Sequence, residues 1–161
     1  MSSFNQHIKQ AQHNIEFLES FYESYKFNDW AITVSFYTAI HIVEAAIAKK
    51  EKIKIGDKEF GIQHSDQLSN ILKTYKERLL KNFSEEAITH HFLRNLIVKE
   101  NFPQISSWFK LLYTHSRIAR YRKYQWENYK IDLVVKTSLK EIIEWVDKEI
   151  GVKIKSKFVT Q

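Results

Sequence analysis

The sequence predicts an all-α protein, an antiparallel up-and-down bundle of five to six helices. Three observations point there. The 161 residues hold only 3 glycines and 1 proline, too little turn punctuation for a β-sandwich or a Gly-rich nucleotide-binding α/β fold. Hydrophobic residues make up 43% and aromatics 14%, enough for a packed interior and too much for a disordered chain. Apolar residues also recur at helical spacing through most of the length. A chain of this size supports one core, because dividing it would leave each half too small. Residues 1–151 read as that single domain and 152–161 as a basic C-terminal tail.

The elements follow in order. Ser2, Ser3 and Asn5 offer caps for a first helix over about 4–25, with apolar positions at Ile8, Ile15, Leu18, Phe21 and Tyr22. Asn28 or Asp29 caps a second helix over about 29–50. Residues 51–63 carry Gly56 and Gly61 and read as a loop, with a small hairpin possible around Gly56-Asp57. Ser65 or Asp66 opens a third helix to about 80. Ser84-Glu85-Glu86-Ala87 has the acids of a first helical turn and starts a fourth to about 99. Pro103 stops that helix and suits the first turn of a fifth, to about 122. A sixth runs from Ile131 to Ile150, with Val135, Ile142, Trp145 and Val146 on its apolar side, and Gly151 ends it. The alternation of apolar and basic residues from Val152 to Lys157 suits an edge strand, or a mobile terminus.

Composition also bounds the chemistry. The absence of cysteine excludes disulfides, thiolate-bound zinc and a thiol nucleophile. Residues 1–20 lack the order of a signal peptide, so the expected location is the cytoplasm. The apolar stretch 30–48 contains Thr33, Ser35, His41 and Glu44; a mid-helix carboxylate argues for a buried core helix and against a membrane. The net charge of +6 is concentrated. Residues 101–161 carry 12 basic and 6 acidic side chains, and the first 100 residues balance. That excess suits a polyanion such as RNA or nucleotide phosphate, and it equally serves solubility.

Two helices carry the candidate residues. On the second, Trp30, Val34, Tyr37, His41, Glu44 and Ala48 share a stripe at about 100° per residue, and the other faces are also apolar. Its polar groups form either an internal network, with His41 bonded to Glu44, or the floor of a cleft in which Glu44 fixes a cation from another helix. The fifth helix supplies such cations. Its core stripe is Ile105, Trp108, Phe109, Leu112, Ser116 and Ala119. Turned by roughly 120° lie Tyr113, Arg117, Arg120 and Tyr124, with Arg122 and Lys123 beside them. Arginine forks match phosphate oxygens and tyrosine faces stack on bases; a solvated helix end with basic residues reads the same way. No metal centre and no cofactor is expected. His90 and His91 point about 100° apart, no Glu-x-x-His occurs, and nucleotide-loop, serine-hydrolase and zincin motifs are missing.

Asp29-Trp30-Ala31, then Phe36-Tyr37-Thr38-Ala39-Ile40-His41-Ile42-Val43-Glu44, then His64, then Leu111-Leu112-Tyr113-x-x-Ser116-Arg117-x-Ala119-Arg120-Tyr121 resembles the HEPN family of small prokaryotic helical domains over about 29–145. The resemblance implies a homodimer with its cleft between two fifth helices, an RNA or nucleotide ligand, and a setting in toxin–antitoxin or antiviral defence. Active members are metal-independent endoribonucleases with an R-x4-H-x-Y motif. In that motif arginine steadies phosphorane charge and histidine moves the proton. Laid on this chain, Arg117 takes the arginine place and Tyr124 the tyrosine place, while Arg122 stands where the histidine belongs. Arginine stays protonated, so the replacement favours binding over cutting. His115, His41 and His64 are the candidate substitutes. Arg117, Arg120, Arg122 and Lys123 would hold phosphate together with His64; Tyr113, Tyr121 and Tyr124 would position or stack on the nucleotide, and Glu44 would orient a basic group. The competing expectation is a non-enzymatic subunit whose Arg/Tyr surface binds a protein such as an antitoxin.

Overall fold

The computed structural model describes residues 3–71, 89–122 and 125–159. It is an all-α bundle with one small hairpin. Helix α1 spans Ser3–Phe21 and buries Ala11, Ile15 and Leu18. A short 3-10 turn at Tyr22–Ser24 follows and closes at Tyr25 in the left-handed region, earlier than the expected end of the helix. Helix α2 spans Asn28–Lys50. Strands β1 (Lys52–Ile55) and β2 (Lys58–Gly61) pair antiparallel with Ile55 opposite Lys58. That register leaves Gly56-Asp57 as a two-residue turn, and Gly56 takes φ +62°, a value open to glycine without strain. Residues 65–71 form the described part of α3. Helix α4 spans His90–Asn101 and α5 spans Ser106–Tyr121, joined by a turn that starts at Pro103. The last helical segment, α6, covers 128–150 and contains π-type turns at Leu133–Leu139 and Val146–Ile150.

Helix α2 is the axle of the bundle. It packs against α1, α5 and α6 and touches β1. Being apolar on every side, it has to be surrounded. By length and composition it is apolar enough to cross a bilayer, but 83% of its apolar window is buried inside this protein. Its side-chain hydroxyls do not disturb the core, because Ser35 and Thr38 donate to the carbonyls of Ala31 and Val34 one turn back. Asn28 does not cap the helix as expected, and Phe27 occupies the cap position without a side-chain bond. Asn28 Nδ2 instead donates to the Trp126 carbonyl and to Asn128 Oδ1, fastening the start of α2 to the start of α6.

Polar ties fix the remaining pieces. Asn101, at the end of α4, exchanges two 2.8 Å bonds with the Lys54 backbone and so holds the hairpin. Tyr22 and Tyr25 both donate to Asp132 Oδ1, clamping the end of α1 to α6. The fourth helix opens at His90, where the Thr89 hydroxyl accepts the Phe92 N–H; the expected start at Ser84 and the end of the third helix near 80 fall outside the described residues. Gly151 ends α6 at φ +73° as the sequence predicts. The described tail residues beyond it, 152–159, make no strand. They lie along α1, where the Lys155 backbone bonds the Gln12 amide and the Lys157 N–H donates to Glu19. Ile154 is buried there, and the Phe158 ring meets Tyr22 edge-on.

Candidate functional site

Two polar centres emerge, one on each side of Arg94. The first is a groove of about 700 Å³ between α4 and α5. The amphipathicity of α5 creates it. Phe109, Leu112, Ser116 and Ala119 turn inward, and the stripe one-third of a turn away, Tyr113, Arg117 and Arg120, lines the groove. Lys110 and Tyr121 extend the same wall, and α4 adds Lys99 and His91. Four cations therefore line the groove, with no carboxylate among the described lining residues. The Arg117 guanidinium lies 5.7 Å from the Tyr113 ring centre, and Arg120 lies over both Tyr37 and Tyr121. Arg120 also donates to the Tyr37 hydroxyl at 3.2 Å. Guanidinium planes held against rings keep their outer edges free for phosphate oxygens. Tyr121 is 75% exposed, an open face for stacking.

His91 is the histidine of this groove. Its ring packs against Tyr113 and Phe36, and its buried Nδ1 has no hydrogen-bond partner. Burial, then the charges of Arg94, Arg120, His90 and Arg117, hold its pKa below the ordinary 6.5. A neutral imidazole beside cations is a proton acceptor. The sequence alone gave no reason to pair His91 with Arg117, 26 residues further on; only the packing of α4 on α5 does that.

The second centre lies at the other end of the polar stripe of α2. Glu44 is 1% exposed. Its Oε1 accepts from Arg94 Nε at 2.7 Å and from the Ser65 hydroxyl, and its Oε2 accepts the Ser65 N–H at 2.9 Å. Burial alone would raise the Glu44 pKa, but Arg94, the two Ser65 bonds and His64 outweigh it and hold the carboxyl ionised. His64 Nε2 stands 3.8 Å from Oε2. His41 does not bond Glu44. Its Nδ1 lies 3.0 Å from Nδ1 of His7 on α1. Burial, reinforced by the charge of His7, lowers the His41 pKa to about 4, and burial likewise lowers that of His7.

Several expectations change accordingly. The cation on Glu44 is Arg94 from the fourth helix, and none comes from the fifth, because the arginines of α5 turn toward the groove. His41 and His64 belong to the Glu44 centre and line no part of the groove. His115 points away from it. Its ring meets Trp126 edge-on, and burial together with Lys130 lowers its pKa. Arg122 caps the end of α5, exposed and off the groove lining. Lys123 and Tyr124 lie outside the described residues. The groove thus gathers Arg117, Arg120, Tyr113 and Tyr121 from the sequence-derived set and adds His91, Lys99 and Lys110. Comparison with family models, curated proteins and solved structures yields no match to this chain.

Proposed function

We propose that this chain is a HEPN-like RNA-binding protein that takes a phosphate backbone in the groove between α4 and α5 and acts as a homodimer. The observation that carries the reading is the lining itself: Lys99, Lys110, Arg117 and Arg120 interleaved with Tyr113 and Tyr121, without a lining carboxylate among the described residues. Cations neutralise phosphates, and open aromatic faces take unpaired bases, which RNA presents in loops and single strands. Binding is the primary activity, since Arg122 holds the motif's histidine place and cannot move a proton.

Cleavage, where it accompanies binding, runs through His91. A neutral His91 accepts the proton of a 2′-hydroxyl, the 2′-oxygen attacks phosphorus, and Arg117 holds the charge that develops on the phosphorane. The protonated His91 then returns that proton to the departing 5′-oxygen, which leaves as a hydroxyl, and a 2′,3′-cyclic phosphate remains.

The test is retention and cleavage of an end-labelled structured RNA in excess EDTA by the wild type, Arg117→Ala and His91→Ala. Retention that weakens in Arg117→Ala supports binding. Cutting that vanishes in both variants adds the nuclease step. The absence of retention removes the proposal.

A second reading rests on a different surface. Phe17, Phe27 and Trp30 are each more than half exposed and, with Phe21, line an apolar hollow at the α1–α2 corner. Such a patch suits a protein partner. Partner binding there would weaken little with salt, whereas phosphate binding weakens steeply.

A further inference from the structure

We infer that His7, His64 and Glu44 form a binding site for a divalent transition-metal ion of the zinc type, with His41 as its positioning residue. The inference is independent of the RNA groove, which lies beyond Arg94. Three separate elements bring the donors together: α1 supplies His7, α2 supplies Glu44, and the loop before α3 supplies His64. One donor atom from each lies within 4.8 Å of the others. A tetrahedral ion with bonds of about 2.1 Å spaces its donors by about 3.4 Å. His64 Nε2 and Glu44 Oε2 are already 3.8 Å apart, so rotation of side chains closes the set.

The donor chemistry fits such an ion. Two imidazoles and a carboxylate suit the borderline first-row ions, and without thiolate or an oxygen cage they disfavour copper(I) and calcium. The lone pairs are also apportioned. Arg94 and the Ser65 hydroxyl take Oε1 and the Ser65 N–H takes one side of Oε2. A carboxylate has about four acceptor positions, so among the described residues one remains untaken, on the oxygen nearest His64. Ser65 and Arg94 are then the supports that hold a ligating carboxylate in place.

His41 completes the arrangement. Its Nδ1 sits 3.0 Å from Nδ1 of His7, and the two rings are tilted 35° with centres 5.3 Å apart. One nitrogen of such a pair donates and the other accepts, so the two rings cannot both be imidazolium. That contact orients the His7 ring, and the His64 ring centre lies 5.3 Å from it as well.

The experiment is calorimetric titration of EDTA-stripped, dialysed protein with ZnCl2, with CoCl2 in parallel for its visible d–d bands. The expected result is saturable uptake of one ion per chain and a raised melting temperature. His64→Ala and His7→Gln should abolish it, His41→Asn should weaken it by about 10–100-fold, and the exposed His13→Ala should leave it unchanged. His64 is on a partly exposed loop, so its variant keeps the core and carries the test even if the His7 variant does not fold. Absence of stoichiometric uptake by the wild type, or uptake unaltered in His64→Ala, overturns the assignment.

Discussion

Arg94 donates to Glu44 at 2.7 Å with both side chains buried, 8% and 1% exposed. This pair joins the two polar centres. The carboxylate faces His64 and the α1–α2 histidines, and the Arg94 charge also depresses His91 in the groove. Burial is the largest influence on both Glu44 and His91, and this one cation on α4 acts beside it on both groups.

Removing that cation should be costly. Arg94→Leu leaves the Glu44 charge buried without its cation, and breaking a buried pair from one side costs about 3–5 kcal/mol. The double variant Arg94→Leu/Glu44→Gln removes the stranded charge and should recover most of that loss. Urea unfolding of the four proteins in the cycle measures both. A single variant as stable as the wild type would mean the pair holds nothing.

The groove residues should separate into two kinds. Arg117→Ala and Lys110→Ala each remove one phosphate contact, so each should lower the slope of log K against log salt by about 1. Tyr121→Ala removes a stacking face and should weaken RNA binding by about 1–3 kcal/mol with the slope unchanged. Fluorescence anisotropy at several salt concentrations distinguishes them. Equal slopes for all variants would contradict the lining argument.

The fold was largely legible because its signals are local. Three glycines, one proline and helical stripes locate the helices, and the stripe of Ile105, Trp108, Phe109, Leu112, Ser116 and Ala119 is buried as its period requires except at Trp108, which is half-buried. The basic stripe of α5 was legible for the same reason. The partners were not. Glu44 meets Arg94 50 residues away, and His7 meets His41 across 34. No spacing rule spans such gaps. The Asn28 side chain misled because a cap-forming amide serves equally well as a tertiary clasp, and the bond to Trp126 across 98 residues takes it.

Phe36 couples the core to the groove. Fully buried, it lies within 6.0 Å, centre to centre, of the rings of Tyr37, His91, Phe109 and Tyr113. Phe36→Ala should cost about 3–5 kcal/mol through the cavity it leaves. Phe17→Ala, at a half-exposed ring, should stay within about 0.5 kcal/mol. Thermal or urea unfolding gives both numbers. The truncation should also loosen His91 and Tyr113, visible as changed histidine and tyrosine ring resonances.

His91 and His115 should make the protein acid-sensitive. Both have pKa values below 6.5 in the folded chain. For His91 the causes are burial and the cations of its own helix and of α5; for His115 they are burial and Lys130 of α6. The unfolded chain then binds more protons than the folded one between the folded and the unfolded values. Stability is complete above about 6.5 and declines as the pH falls through that window. Ring resonances of the two histidines should therefore titrate below 6.5, and His115→Phe should flatten the acid limb of stability against pH. RNA should raise the pKa of His91 alone. A phosphate in the groove adds negative charge and raises its pKa, so the His91 resonance should titrate higher in the complex while that of His115, facing Trp126, stays where it was. Equal shifts at both positions would place the RNA elsewhere.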